Sequence, residues 1–254
     1  MCFSDVPGLT TRVEHVVQLT PGFKPKRMRA YKIPERLQPE VERQLDEMLT
    51  NGIIRESNSP MSSPLVCVLK GKGGCNGVRL AIDYRFVNQY TVSDAFPIPD
   101  VEEFIQKVGA NRWISTFDCC SGYYQTPVRE QDKWLTAFVS QGRLFEFDRT
   151  PFGMRNAGQT FVRAMQIILR AMRQFADAYV DDCAVMSDEW YAHLMHLEKF
   201  LSTMKAEGIT LKLKKCRLAQ HNDCKVLRRN NWLRLTSTGH RKGLSHSRYG
   251  RASY

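Results

Sequence analysis

The chain has 254 residues, 43% hydrophobic and 25% charged, an ordinary globular composition that excludes a disordered or fibrous protein and allows one or two domains. Its 37 lysines and arginines exceed its 26 acidic residues, and the net charge of +11 indicates a polyanionic partner, nucleic acid first among the candidates. No window has the roughly eighteen apolar residues of a membrane span and no secretory signal is recognisable, so we expect an intracellular, cytoplasmic protein without a membrane partner.

The predicted elements are short strands and helices in mixed order. Residues 1–34 are interrupted by prolines and glycines, which indicates an extended, solvated connector. From Glu35, apolar residues recur at helical spacing until Gly52. Strands are predicted at 65–69, 78–84, 113–118, 178–180 and 183–186, a glycine-rich loop at 70–77, a hairpin at 138–147, and helices at 101–108, 161–175 and 190–207. The last helix is expected to bury Leu194, Leu197, Leu201 and Met204. This order favours an α+β fold around an antiparallel sheet.

The eight cysteines are interpreted as reduced thiols. Their spacing contains no C-x-x-C pair, which argues against a zinc site. A long chain without a secretory signal does not favour a disulfide framework either. Cys119 and Cys120 are adjacent, so the alternation of a strand would place one of them on each face.

Three carboxylates are the sharpest functional signal. Asp181 and Asp182 stand at a hairpin tip, where an Asp pair taken alone is more often ordinary turn chemistry. Asp118 ends another apolar strand, and we expect it to lie beside that pair in one sheet. Carboxylates gathered in this way repel one another unless cations neutralise them, and such oxygen-rich sites suit Mg²⁺. A two-metal site of this kind would serve nucleotidyl transfer or phosphodiester hydrolysis.

Ordered motifs extend this signal along the chain. The run Tyr179-Val180-Asp181-Asp182 resembles the Y-x-D-D signature of reverse transcriptases. Further segments resemble, in the same order, the polymerases of Ty3/gypsy-type long-terminal-repeat retrotransposons: 47–60, 62–64, 78–85, Asn88, 96–99, 117–125, 151–157 and 160–161, then His193, His196, Gly208 and Lys215. The resemblance covers residues 13–220 and departs from the family pattern at Cys119, Cys120 and Gly158.

The resemblance implies an RNA-directed DNA polymerase with an α+β fold, in which an antiparallel palm sheet is flanked by helices. After the connector, it implies fingers at 35–92 and 126–158, and a palm at 93–125 and 159–224. The implied partners are an RNA or DNA template–primer and deoxynucleoside triphosphates, and no oligomeric state is implied.

Site residues follow from the same resemblance. Asp118, Asp181 and Asp182 form the catalytic, metal-binding set, in which the first two hold two Mg²⁺ ions, with Mn²⁺ as a substitute, and the third supports them. Three groups of nucleotide-binding residues are implied. The incoming triphosphate is bound by Lys70, Lys72 and Arg79, and the gate that excludes a ribose 2′-hydroxyl is Tyr123. The segment that contacts the nucleotide and the template contains Phe152 and Gly153. Considered without the resemblance, the tyrosine is equally a half-buried strand aromatic and the lysines solvated surface. Among the basic three, Arg79 is favoured, because its planar fork suits phosphate oxygens.

The end of the chain carries much of the charge. Residues 225–254 contain eight basic side chains and no acidic one, which leaves 29 basic and 26 acidic groups, a net charge of +3, for residues 1–224. Beyond Cys216 the family continues with a strand, an F-L-G motif that positions the primer end, and a thumb, and the sequence pattern indicates none of these. The segment is interpreted either as a basic nucleic-acid-binding tail or as polymerase sequence read out of frame.

A slip of the reading frame accounts for two missing motifs at once. If residues 224–232 are encoded UGC AAA GUU CUU AGG CGA AAU AAU UGG, reading one base later gives A-K-F-L-G-E-I-I. The same shift allows residues 235–243 to become S-H-R-P-D-T-G-K-V, which resembles a family segment near that point. We therefore favour a polymerase that is truncated by an out-of-frame tail. Codons near Cys224 that exclude F-L-G in the shifted frame would contradict this hypothesis.

Three functions are compatible with these observations. The first is the RNA-directed DNA polymerase domain of a retrotransposon polyprotein. The second is a catalytically inactive remnant that at most binds nucleic acid, because the primer-positioning strand and thumb are missing. The third is a metal-dependent nuclease, which the ordered fingers motifs disfavour.

Overall fold

The computed structural model describes residues 2–69, 71 and 77–221, which form nine strands and five α-helices. The strands are β1 Ile54–Glu56, β2 Ser63–Leu69, β3 Val78–Ile82, β4 Trp113–Asp118, β5 Phe138–Ser140, β6 Arg143–Phe147, β7 Ala176–Tyr179, β8 Asp182–Ser187 and β9 Arg217–His221. The helices are α1 Gln38–Thr50, α2 Arg85–Tyr90, α3 Val101–Gly109, α4 Ala157–Ile168 and α5 Trp190–Ala206. Two predicted nucleotide-binding residues, Lys70 and Lys72, lie outside the described residues. The tail at 225–254, to which the hypothesis of a shifted reading frame applies, also lies outside them. Within these ranges, no helix combines the length and apolarity needed to cross a membrane.

The chain divides into two compact units. The first comprises Met1–Val13, Ala95–Gln125 and Gly158–Tyr254, and the second comprises Glu14–Asp94 and Thr126–Ala157. Each unit is therefore assembled from separated stretches of sequence. The naming of the first unit as palm and the second as fingers stays a prediction from the resemblance.

The second unit is built on a five-stranded sheet in the order β1-β6-β5-β2-β3. Its pairs are antiparallel except for the parallel contact of β2 with β5. Helix α1 begins with a proline in its first turn and buries Val41 and Leu45, four residues apart on one helical face as the spacing predicts. Met61, Tyr84, Val87 and Leu135 belong to a separate buried cluster of this unit.

The first unit is built on a four-stranded sheet in the order β7-β8-β4-β9, and all its pairs are antiparallel. Because side chains alternate along a strand, Ile114 of β4 faces α3, where it joins a cluster with Phe104, Val108 and Met186. The opposite face of the sheet carries Phe117, whose ring lies 4.8 Å from that of Phe200 in α5. The antiparallel sheet flanked by helices is the fold predicted from the sequence.

The burial of α5 corrects one sequence prediction. The fully buried residues of this helix are His193, Phe200 and Met204, whereas Leu194 is 44% exposed. Buried residues spaced by seven and four positions form a helical face, but this face is rotated away from Leu194. The reason is that two serines of the sheet, Ser115 and Ser187, hydrogen-bond His193. The buried face of the helix therefore contains a polar residue, whereas the hydrophobic pattern predicted Leu194 there.

The N-terminal stretch is extended and largely exposed, but it is not solvated throughout. In the first unit, Thr10 is fully buried and its backbone N–H donates to the carbonyl of Gln125 at 2.8 Å. In the second unit, the fully buried His15 donates its N–H to the carbonyl of Pro127 at 2.8 Å. Prolines and glycines prevent regular structure here, yet the backbone satisfies its hydrogen bonds against neighbouring segments.

Strand β9 corrects a second prediction. The sequence pattern indicated no strand after Cys216, but Arg217–His221 pairs with β4 as the fourth strand of the sheet. The pairing is irregular between Ile114 and Thr116, and Ala219 has φ +49°. A strand held by such an irregular edge lacks the strict alternation that sequence patterns detect.

A buried histidine makes the stability of the first unit sensitive to acid. His193 is fully buried between Ser115 Oγ, 2.8 Å from its Nε2, and Ser187 Oγ, 3.0 Å from its Nδ1. Burial, together with the neighbouring His196, lowers the pKa of His193 to about 4. An unfolded histidine titrates near 6.5, so the unfolded chain takes up this proton first as the pH falls.

We therefore expect the free energy of unfolding to fall by about 2 kcal/mol between pH 7.5 and pH 5 through His193 alone. This contribution is fully present above pH 7 and is lost as the pH falls from about 6.5 to 4. Urea unfolding of the wild type and of His193→Gln at both pH values measures the effect. The variant should be less stable at pH 7.5 but should show a pH dependence weaker by that amount; equal pH dependences would contradict the assignment.

Candidate functional site

Two of the three predicted aspartates lie directly opposite each other in the first unit. In the β4–β8 pair, Asp118 is in register with Asp182, and Phe117 with Cys183. Alternation therefore puts the two carboxylates on one face of the sheet, and the phenylalanine and cysteine on the other. Both aspartates are half-buried, and this pair lies at the end of β4 and the start of β8.

Asp181 occupies the turn between β7 and β8. Val180 before it has φ +53°, a left-handed conformation that is uncommon for a β-branched residue and marks a tight turn. The carbonyl of Asp181 accepts a hydrogen bond from the backbone N–H of Cys119 at 3.0 Å. This bond ties the turn to the residue that follows Asp118, so the chain holds the three aspartates in one neighbourhood.

Gly122 lies against the carboxylate of Asp181. A Cβ added at Gly122 would stand 2.5 Å from Asp181 Oδ1 and 2.9 Å from two ring atoms of Phe161. These distances are far below ordinary contact, so only glycine fits here without displacing the carboxylate or the ring. Gly122 falls within the motif at 117–125, but no role was predicted for it; the run Ser121-Gly122-Tyr123 was the available signal.

Lys215 is the second residue whose part in the site the sequence did not predict. Its Nζ lies 2.9 Å from Asp118 Oδ2. The backbone N–H of Lys212 also donates to the carbonyl of Asp118 at 2.9 Å, so side chain and backbone of the same segment bind the same aspartate. The sequence indicated Lys215 only as one in a series of family positions.

Tyr123 lies in a short 3₁₀ turn, Gly122–Gln125, and is 8% exposed. Its ring meets that of Phe161 edge-on, with centroids 6.2 Å apart. A Cβ at Gly158 would lie 3.4 Å from the Tyr123 hydroxyl oxygen. The tyrosine is therefore packed in a defined orientation in the same turn that carries Gly122.

Gln125 anchors this turn. It is fully buried, and its Nε2 donates to the carbonyls of Cys120 and Thr210, at 2.9 Å each. Its Oε1 accepts from the backbone N–H of Thr210 at 2.7 Å. A buried amide with these partners satisfied fixes the backbone around it, so the turn bearing Tyr123 is held to the segment that precedes Lys215.

The other predicted nucleotide-binding residues that the structure describes belong to the second unit. Arg79 is exposed on β3, opposite Val68. Phe152 is half-buried, and Gly153 is exposed with φ +88°, a conformation that favours glycine. Asn88 Nδ2 donates to the carbonyl of Gly153 at 2.8 Å, which links this loop to α2.

Cys119 and Cys183 lie on the face opposite the aspartate pair. Their sulfurs are 3.8 Å apart, and the hydrogen bond with Cys183, together with burial, raises the pKa of the Cys119 thiol. Thiols of raised pKa are poor nucleophiles. All six cysteines within the described ranges are unbridged. Cys119 and Cys120 are both buried, and both lie beyond Asp118, the last residue of β4.

The aspartates supply the oxygen ligands that Mg²⁺ prefers, although they are not arranged as one compact cluster of three. Across the part of the chain that the structure describes, no group of three or more His, Cys, Asp or Glu side chains is positioned to hold a metal ion. Asp118 faces Asp182, whereas Asp181 points toward Gly122. Mg²⁺ in phosphate-transfer sites commonly uses one or two carboxylates, together with waters and substrate phosphates. Asp118, with Asp181 or Asp182 beside it, meets that requirement, and the ammonium at Asp118 shows that a cation can approach it.

Comparison with known proteins identifies the family. The chain matches the family "Reverse transcriptase (RNA-dependent DNA polymerase)" over residues 68–228. It is 35% identical to the retrovirus-related Pol polyprotein from transposon 297 of Drosophila melanogaster over 210 residues, covering 82% of this chain and 20% of that protein. It is 36% identical to the corresponding polyprotein from transposon opus of the same organism over 191 residues, or 74% of this chain and 19% of that one.

Solved structures share the fold. The prototype foamy virus protease–reverse transcriptase superposes with a TM-score of 0.77 at 24% identity, covering 86% of this chain and 29% of that chain. A foamy viral protease–reverse transcriptase in complex with double-stranded DNA gives a TM-score of 0.76 at 24% identity, over 85% of this chain and 38% of that chain. The chain belongs to the reverse transcriptase family, and it spans about a fifth of the length of these two retrotransposon Pol polyproteins.

Proposed function

We propose that this chain is the RNA-directed DNA polymerase domain of a retrotransposon polyprotein, and that it extends a primer by two-metal nucleotidyl transfer. The observation that carries the proposal is the cross-strand pair of Asp118 and Asp182, with Asp181 in the adjoining turn. Carboxylates converging at strand ends are what phosphoryl transfer requires, and the family makes template-directed synthesis the specific reaction.

Asp118 and Asp181 would hold the two Mg²⁺ ions, or Mn²⁺ in their place, with Asp182 supporting them. When bound, the metals lower the pKa of the primer 3′-hydroxyl and neutralise charge on the departing pyrophosphate. The protein itself contributes positioning: the Cys119 N–H holds the Asp181 backbone, and the β4–β8 register holds the other two side chains.

The remaining site residues serve the nucleotide and the template. We assign Tyr123 as the gate that excludes a ribose 2′-hydroxyl, which its fixed, edge-packed ring supports. Phe152 and Gly153 contact the incoming nucleotide and template, in a loop that Asn88 holds. Lys70, Lys72 and Arg79 bind the triphosphate, and the exposure of Arg79 leaves its guanidinium accessible to phosphate oxygens.

The proposed partners are an RNA or DNA template–primer and deoxynucleoside triphosphates. Foamy viral protease–reverse transcriptases of the same fold are known in complex with double-stranded DNA and with an RNA/DNA hybrid. These complexes support a base-paired nucleic acid as the ligand of this chain. The alternative is a remnant that binds nucleic acid without extending a primer.

Primer extension tests the proposal. The purified chain is incubated with a labelled DNA primer on an RNA template, deoxynucleoside triphosphates and Mg²⁺ or Mn²⁺. We expect metal-dependent products whose length follows the template, with synthesis stopping at a defined position when one nucleotide is omitted. Template–primer binding without extension would overturn the proposal in favour of the remnant. Shortening of the nucleic acid without nucleotides would favour the nuclease.

A further inference from the structure

The contact between Lys215 and Asp118 sets a cation beside the aspartate pair. Lys215 Nζ lies 2.9 Å from Asp118 Oδ2, and its side chain is 59% exposed while that of the aspartate is 24% exposed. The ammonium therefore approaches the carboxylate from the solvent side. While Asp118 Oδ2 contacts this ammonium, a metal ion cannot occupy the place of the ammonium beside that oxygen.

The backbone around Lys215 is built to bring it there. Leu211 forms a β-bridge with Cys119, on one side of Asp118, and Arg217 pairs with Thr116 on the other. Between them the short 3₁₀ turn Leu213–Lys215 is closed by a bond from the Lys215 N–H to the Lys212 carbonyl at 2.9 Å. Segments on both sides of the turn are thus fixed to β4, so the backbone of Lys215 is held close to Asp118.

We propose that Lys215 is a tethered counter-cation, which neutralises Asp118 in the metal-free protein and must be displaced before a divalent ion binds there. The inference rests on the proposed metal site. Two facing carboxylates without a cation repel each other, and the ammonium relieves this repulsion. An exposed ion pair is individually weak, so a divalent cation can displace it. Lys215 therefore sets the metal concentration at which the site fills.

Metal binding measured without catalysis tests this proposal. Mn²⁺ is titrated into the full chain at pH 7.5, and free Mn²⁺ is followed by electron paramagnetic resonance. Lys215→Gln should bind Mn²⁺ about three- to ten-fold more tightly than the wild type. The substitution removes the ammonium that competes with Mn²⁺ for Asp118, and with it the repulsion between the ammonium and the metal ion. Lys215→Arg, which retains the charge, should restore the wild-type affinity.

Lys214→Gln is the matched control. It makes the same charge change one residue earlier, at an exposed side chain, and should change the affinity by less than about two-fold. A Lys215→Gln affinity equal to that of Lys214→Gln, or weaker than wild type, would overturn the proposal. As a second readout, Mn²⁺ should raise the melting temperature of Lys215→Gln more than that of the wild type; an equal rise would also overturn it.

Asp118→Asn separates this inference from the proposed function. If Asp118→Asn abolishes Mn²⁺ binding while Lys215→Gln has no effect, the metal site stands and only the counter-cation is rejected. If Mn²⁺ binds equally well to Asp118→Asn, or does not bind to any of these proteins, the metal site of the proposed function is itself rejected and the counter-cation with it.

Discussion

Replacing Asp181 with asparagine is expected to reduce template-directed primer extension by about 10³-fold or more, equivalent to roughly 4 kcal/mol of transition-state stabilisation. Asparagine keeps the shape of the side chain but removes the negative charge that would hold a metal ion. The backbone bond from Cys119 to the Asp181 carbonyl does not depend on the side chain, so the turn should survive the substitution.

Extension rates measured at saturating template–primer and nucleotide test this expectation, with Asp188→Asn as the control. Asp188 is exposed just after β8, so its replacement makes the same charge change outside the site and should leave the rate within about two-fold of wild type. Template–primer affinity should change little in either variant. An Asp181→Asn protein that extends primers at the wild-type rate would remove Asp181 from the catalytic set.

Replacing Gly122 with alanine is expected to lower primer extension by about 10- to 100-fold, because an ångström-scale displacement of a catalytic group is costly. The added methyl would overlap Asp181 Oδ1 at 2.5 Å and the Phe161 ring at 2.9 Å. The aromatic ring is rigid and fully buried, so the carboxylate or the turn must move. Overpacking of this kind also lowers the free energy of unfolding by about 1–3 kcal/mol.

Gly158→Ala is the comparison for this experiment. A Cβ there would meet the Tyr123 hydroxyl at 3.4 Å, an ordinary contact, and alanine is the better helix former. Urea unfolding should therefore show Gly158→Ala to be as stable as the wild type or up to about 1 kcal/mol more stable. A Gly122→Ala protein with unchanged Mn²⁺ affinity, stability and extension rate would show that the close approach does not matter.

Local patterns predicted the elements that surround the site. The strand ending at Asp118 and the hairpin carrying Asp181 and Asp182 have the apolar runs and turn residues that specify them over a few positions. The hairpin at 138–147 and the helix at 101–108 were predicted for the same reason. Boundaries were less certain: α4 begins at Ala157 and ends at Ile168, whereas its pattern suggested 161–175.

Contacts between distant residues were not predictable in this way. The pattern of α5 assigned Leu194 to the core, but the histidine bonds of Ser115 and Ser187 turned another face inward. Residues 1–34 contain no periodic signal, yet Thr10 and His15 are fully buried because other segments accept their backbone hydrogen bonds. Strand β9 exists through its pairing with β4 rather than through its own pattern.

The sequence by itself determined the family and most of the strands and helices in their order, and it pointed to the three aspartates, because each depends on residues close together in the chain or on motifs in a fixed order. Only the tertiary structure decided that Asp118 faces Asp182, that Gly122 abuts Asp181, and that Lys215 reaches Asp118 across 97 positions. Such contacts depend on register and packing between separate segments, and no local periodicity records them.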